Sequence, residues 1–262
     1  MSEGRWRARR THDVREIKAL LGSDPAYAAF PLGYLDARNR PDAEWALATL
    51  DGEPKAVACL YHGLKPPAAF TVGEGAGLAL IFGAVLRAPL AHFSLAEEHL
   101  PVVRSYYALG HPIPMVRMTA SATGFRPVAG AAERLTERDL EDLGALYRLG
   151  DAELFSPEQW VEGVFYGVRV MGMLVAAAGT HLVSQECGVA VVGSVFTDPG
   201  YRRRGLGSLV TSQVTAELLK RGLLVVLNVR QDNPTAQRIY RALGYREHCR
   251  YVEALGRRRT AR

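Results

Sequence analysis

Apolar and polar positions along this chain repeat with two periods, and each change of period marks an element. In "AERLTERDLEDLGALYRLG", Thr136 and Asp139 have capping-box spacing, Leu140, Leu143 and Tyr147 share one helical face, and Gly150 offers a stop. Further on, Leu206, Leu209, Val210, Val214, Leu218 and Leu219 recur at helical spacing up to Gly222. Asn233 followed by Pro234 predicts a capped helix that runs to Gly244. Ser156, Pro157 and Gln159 in "SPEQWVEGVFYG" predict another helix start. Between these helices lie apolar runs too short for surface helices. Residues 168–171, 173–178 and 188–197, rich in Val, Ala and Gly, predict strands, "LLVVLNV" (223–229) a buried strand, and "YREHCRYVEAL" a closing strand.

The first half carries a weaker pattern. A helix is expected over 14–21, and "EWALATLDGEPKAVACLYHG" reads as strand, turn and strand. "GLALIFGAVL" suits either a strand or a helix. The small, Gly- and Pro-containing stretch 119–133 suggests a boundary, giving two expected domains, 1–128 and 129–262. Interleaved strands and helices make the chain α/β, with a mixed central sheet flanked by helices. The order helix, hairpin, helix in the first half echoes the second, as two tandem halves would.

Composition narrows the class. The chain has 262 residues, 48% hydrophobic and 23% charged, which suits a globular protein. No apolar run approaches the roughly 20 residues of a membrane span. Three cysteines, Cys59, Cys187 and Cys249, have neither C-x-x-C spacing nor an even count, which implies a reducing, cytoplasmic setting. The net charge of +5 is concentrated in arginine-rich ends, read as solvated termini. A nucleic-acid groove would interleave its arginines with stacking aromatics, and only Trp6 in "RWRARR" stands so, so no nucleic-acid or membrane partner is expected.

The chemistry concentrates in "DPGYRRRGLGSLV" (198–210). Three adjacent arginines repel, and glycines weaken a helix start, unless an anion sits there. A Walker loop is excluded because no Gly-Lys pair occurs, and a dinucleotide fingerprint because Val210 stands where its third glycine belongs. What remains is R-x-x-G-x-G: Arg202, Gly205 and Gly207.

In its context this motif resembles the GCN5-related N-acetyltransferases. Their acetyl-coenzyme A motif is [QR]-x-x-G-x-[GA], and a later segment reads N-x-x-A-x-x-x-Y-x-x-x-G-[FY], matched here by Asn233, Ala236, Tyr240, Gly244 and Tyr245. The resemblance covers about residues 130–252 and is greatest to the FR47-like branch; the first half is similar only faintly, as a degenerate companion. It implies the acyl-CoA N-acyltransferase fold and acetyl-CoA as cosubstrate, with no metal. Arg202 and Arg204 then meet phosphates, Arg203 lies at the same turn, and the amides from Arg203 through Gly205, Leu206 and Gly207 to Ser208 wrap the pyrophosphate. Val195, Phe196 and Thr197 line the pantetheine arm, and Asn233 and Ala236 approach it from the other side. Tyr240 stands where the family protonates the leaving thiolate.

The resemblance implies acetyl transfer to an amine of a small molecule or peptide, and the lack of a cysteine nucleophile favours direct transfer in a ternary complex. The general base stays open between Glu186 and His181, because "GVAVVGSVFT" has no carboxylate. A non-catalytic coenzyme A-binding or sensor module is the alternative. The acceptor, the acyl chain length and the choice of monomer or homodimer are not encoded in any motif.

Overall fold

The computed structural model describes residues 4–150, 160 and 162–260. The helix start expected at Ser156, Pro157 and Gln159 lies outside the described residues. The chain forms two compact units, one of Met1–Val116 with Cys249–Arg262, the other of Arg117–His248. The division expected at residue 128 thus falls inside the second unit, and the chain end belongs to the first.

The first unit contains β1 (Trp6–Arg10), α1 (Val14–Leu21), α2 (Ala29–Gly33), β2 (Ala43–Leu50), β3 (Glu53–Tyr61) and β4 (Ala68–Gly73). These are followed by α3 (Gly75–Leu80), β5 (Leu90–Leu95), α4 (Leu100–Tyr106) and β6 (Tyr107–Leu109). Its sheet runs β1-β2-β3-β4-β5 and ends on the first-unit part of the last strand, residues 249–258. The β2–β3 turn is Asp51-Gly52 with φ of 51° and 93°, a primed turn that matches strand twist. The stretch 77–86 is helical, α3 continuing into a π-turn over Ile81–Val85, because Leu78, Ile81 and Phe82 bury at helical spacing. Phe82, Phe93 and Tyr107 meet edge to face in this core, with centroids 4.8–5.9 Å apart.

The second unit begins within β7 (Ile113–Ala120) and continues through β8 (Glu133–Arg134), α5 (Leu140–Tyr147), β9 (Tyr166–Val170), β10 (Met173–Ser184) and β11 (Val189–Thr197). It then holds α6 (Leu206–Lys220), β12 (Leu224–Arg230), α7 (Pro234–Ala242) and the start of β13 (Arg246–Arg258). Its sheet order is β7-β12-β11-β10-β9-β8; β8–β9, β9–β10 and β10–β11 pair antiparallel, and β11–β12 pair in parallel. Thr136 and Asp139 form the expected capping box, after which Leu143, Leu146 and Tyr147 pack on Phe165, Leu174 and Ala177. β10 runs six residues past its expected end at 178. Thr180, Leu182 and Ser184 are buried along with Leu174, Val175 and Ala176, so the alternation that marks a half-exposed strand is missing. Among the described residues, no helix is long and apolar enough to cross a membrane.

Candidate functional site

The site begins where two parallel strands part. β11 and β12 pair from Val189 with Leu224 to Val192 with Leu227, and there the ladder stops. β11 continues to Thr197 against β10 alone, and its register slips between Gly179–Gly193 and Ala177–Phe196, so that two residues face one. Within this bulge Ser194 is buried and has φ of 49°, a left-handed conformation that side chains with a Cβ avoid. The Tyr147 hydroxyl donates to the Ser194 carbonyl at 2.6 Å, and its ring meets Phe196 edge-on at 6.2 Å. Because the strands are parallel, the loops leading to α6 and α7 leave from the same end of the sheet.

The loop to α6 is built to leave backbone amides open. Asp198 Oδ1 accepts from the Gly200 amide at 2.7 Å and closes a tight turn. Arg203 and Gly205 then take left-handed φ of 63° and 78° and turn the chain into the helix. α6 starts with no side-chain cap and no acidic residue in its first turn. The amides of Leu206, Gly207 and Ser208 therefore lack intrahelical partners, and the positive end of the helix dipole is uncompensated.

The arginines are arranged around this turn. Arg202 donates through Nε to the Thr197 carbonyl at 3.2 Å and lies over the Phe196 ring at 5.9 Å. Arg204 stacks on Tyr201 at 5.0 Å and reaches the Gly200 carbonyl at 3.5 Å. Arg203 is exposed. Among the described residues none of the three is paired with a carboxylate. Three uncompensated cations beside open amides fit a di- or triphosphate-bearing ligand.

Asn233 caps α7 through its side-chain oxygen, which accepts from the Ala236 amide at 3.0 Å. That oxygen is committed to the fold, which leaves the amide nitrogen as the group Asn233 can offer. Tyr240 is buried on α7, and burial pushes its pKa up to about 12. Its ring meets Tyr245 at 6.1 Å, yet its hydroxyl has no hydrogen-bond partner among the described residues. A neutral, unpaired hydroxyl is a donor in reserve.

The two candidate bases fare differently. His181 lies on β10 with its ring against the Gly193 backbone, two residues from Val195. Burial lowers its pKa to about 4, so it is neutral at physiological pH. Glu186 sits in the turn between β10 and β11, where Ser184 pairs with Val189. At about 3.3 Å per residue it lies roughly 25 Å along the strand from Thr197. The structure places His181 beside Gly193, joins Thr197 to the 202–208 turn through Arg202, and leaves Glu186 at the far end. Cys187 shares that far turn, while Cys59 and Cys249 belong to the first unit. No group of three metal-ligating side chains occurs among the described residues.

Tyr147 is the site residue that periodicity alone does not single out. Its sequence signal was that of a packing residue on α5.

The first unit shows the same strand arrangement with its gap filled. β4 and β5 are parallel from Ala68–His92 to Phe70–Ser94. Beyond that, the Tyr27 hydroxyl donates to the Thr71 carbonyl at 3.0 Å and accepts from the Ala96 amide at 2.8 Å. His99 closes the space further, with Nδ1 to the Thr71 hydroxyl at 2.8 Å and Nε2 to the Gly73 carbonyl at 2.9 Å. α3 also opens on a Gly-x-Gly, but Glu74 precedes it and no arginine flanks it. A Cβ at Gly77 would strike Ala56 and Trp6 within 2.9 Å, so that glycine serves helix-on-sheet packing.

Comparison with known proteins bears on the second unit above all. Residues 166–253 match the family described as FR47-like protein. The [ribosomal protein bS18]-alanine N-acetyltransferase of Escherichia coli K12 is 36% identical over 77 residues, which cover 29% of this chain and 50% of that protein. The chain thus spans about half the length of the curated relatives it matches. Among solved structures, a GCN5-related N-acetyltransferase from Sphaerobacter thermophilus shares the fold at 16% identity and a TM-score of 0.60, covering 98% of this chain and 97% of that one. A tandem GNAT protein from the clavulanic acid biosynthesis pathway does so at 13% identity and a TM-score of 0.62, covering 98% and 100%.

Proposed function

We propose that this chain, whose residues 166–253 match the FR47-like family, is a GCN5-related N-acetyltransferase that moves an acetyl group from acetyl-CoA to an amine, by direct transfer in a ternary complex. The observation that carries this reading is the carboxylate-free arginine–glycine turn at the uncapped start of α6, set beside the parting of β11 and β12. Coenzyme A brings a pyrophosphate and a 3′-phosphate, and the turn offers cations and amides that suit both. Arg202 and Arg204 hold phosphate oxygens, while the amides from Arg203 to Ser208 take the pyrophosphate. Val195, Phe196 and Thr197 flank the pantetheine arm. Bound acetyl-CoA supplies an activated acetyl thioester.

Tyr240 holds a proton that it can share with the sulfur. With a pKa of about 12 against about 8.5 for a free thiol, it serves as a hydrogen-bond donor to the thiolate more than as a source of a fully transferred proton. The placement of the thiols supports direct transfer, since none lies beside the strand parting in the second unit.

A peptide N-terminus fits best as acceptor. The relative from Escherichia coli carries an alanine of ribosomal protein bS18 in its name. An α-amine titrates near 7.7–8.0 and a lysine near 10.4, so an α-amine is partly neutral at pH 7 and asks little of a base. That suits a site whose nearby candidate base is a histidine with a pKa of about 4 and whose central strand has no carboxylate. The same weakness in basic groups favours, as a second reading, a module that binds coenzyme A without turnover. Thiol release from acetyl-CoA with a panel of peptides and small amines separates the two. The proposal expects release matched by acetylated amine; ligand binding with no release on any amine supports the second reading.

A further inference from the structure

In the bulge of β11 the Tyr147 hydroxyl holds the Ser194 carbonyl. Ser194 is buried, carries a Cβ, and nevertheless keeps a left-handed φ of 49°, so something must fix it there. Its carbonyl accepts from Tyr147 at 2.6 Å. Among the described residues the only cis peptide is Lys65–Pro66, so the Ser194–Val195 peptide is trans. In a trans peptide the carbonyl and the following N–H point in opposite directions within one plane. Fixing the Ser194 oxygen therefore fixes the direction of the Val195 amide. The Tyr147 ring also packs edge-on against Phe196, so this side chain brackets Val195 from both neighbours.

The bond is one of several anchors of α5. That helix is anchored by the Thr136–Asp139 capping box and by Leu143 and Leu146 in the core. We propose that Tyr147 is a positioning residue for acetyl transfer: by holding the Ser194 carbonyl it aims the Val195 amide at the thioester oxygen of acetyl-CoA. The inference rests on the cosubstrate reading above. Negative charge grows on that oxygen as the amine attacks, and a preset amide stabilises it without reorganising. The internal comparison points the same way. In the first unit a tyrosine hydroxyl, that of Tyr27, likewise binds a carbonyl beyond the end of the parallel ladder, at Thr71, one residue past Phe70, where Ser194 lies two past Val192.

The test is Tyr147→Phe in the full chain, which keeps the ring and removes the hydroxyl. Selective ¹⁵N-valine labelling reads the Val195 amide directly. In the parent, acetyl-CoA should move that amide proton downfield and coenzyme A, which lacks the acyl oxygen, should not. In the variant the acetyl-CoA response should shrink by half or more. Turnover should fall about 10–100-fold, less than the roughly 10²–10³-fold loss of a deleted oxyanion donor, because the amide is misaimed and not removed. KM for acetyl-CoA should stay within about twofold, since the phosphate contacts remain. An unchanged Val195 response with unchanged turnover overturns the inference. So does a variant that fails to fold, because the hydroxyl would then be carrying structure. A parent that shows no acetyl-CoA response at all overturns the cosubstrate reading itself, and that result appears before any substitution is made.

Discussion

The His181 imidazole packs against the backbone of Gly193, so that a Cβ at position 193 would collide with the His181 Cδ2 and Nε2. Glycine here makes room for a neighbour on the next strand. Gly193→Ala should therefore displace His181 and destabilise the protein by about 1–3 kcal/mol, the usual cost of overpacking a fitted site. Gly207 gives the contrast, since a Cβ there meets only the Thr197 hydroxyl, at 3.5 Å. Gly207→Ala should leave the thermal midpoint unchanged or slightly raised, as expected for alanine within a helix. Equal losses in the two variants would contradict this reading of the strand face.

Acid should weaken the fold through His181 and His99. Burial takes His181 from an ordinary value of 6.5 down to about 4 and also lowers His99. A depressed folded-state pKa means that the unfolded chain binds more protons in that interval. Stability is then fully present above about pH 6.5 and is lost progressively as pH falls toward 4, at up to about 1.4 kcal/mol per pH unit for one group. Urea midpoints at pH 7 and pH 4.5 should differ less for His181→Gln than for the parent. Turnover should likewise show no limb near pH 6.5 assignable to His181.

Tyr240→Phe separates catalysis from packing. The hydroxyl has no partner among the described residues, so removing it breaks no hydrogen bond of the folded state. Stability should be unchanged, while turnover should fall by about 10²–10⁴-fold, the range of a lost acid or donor. A variant that binds acetyl-CoA normally and turns over within a few-fold of the parent, with chemistry rate-limiting, would leave Tyr240 a core residue.

Much of this was legible in the sequence because local rules dominate there. The capping box at Thr136, the Asp51-Gly52 hairpin and the Pro234 helix start each follow from one or two residues. The stretch 77–86 was ambiguous because a short apolar run fits either period, and only packing of Leu78, Ile81 and Phe82 decides. The Arg202–Gly207 turn was visible as a motif. Tyr147 was not, because a side chain bonding to a distant backbone carbonyl leaves no pattern in sequence. Glu186 and His181 looked equivalent along the chain, five residues apart; pairing in β10 and β11 is what sends one to the far turn and the other to the bulge. Asn233 illustrates overlap, since the motif position is also the helix cap.

The central claim is that the arginine–glycine turn of the second unit is the coenzyme A phosphate site, and titration calorimetry of coenzyme A into the full chain tests it most directly. The account predicts one molecule bound per chain, because the matching gap in the first unit is bridged by Tyr27 and His99. In Arg204→Glu, folded to the same thermal midpoint, a phosphate partner is lost and a like charge gained, so binding should weaken by about 2–4 kcal/mol. Two molecules bound per chain, or an unchanged affinity in the folded Arg204→Glu variant, would contradict it.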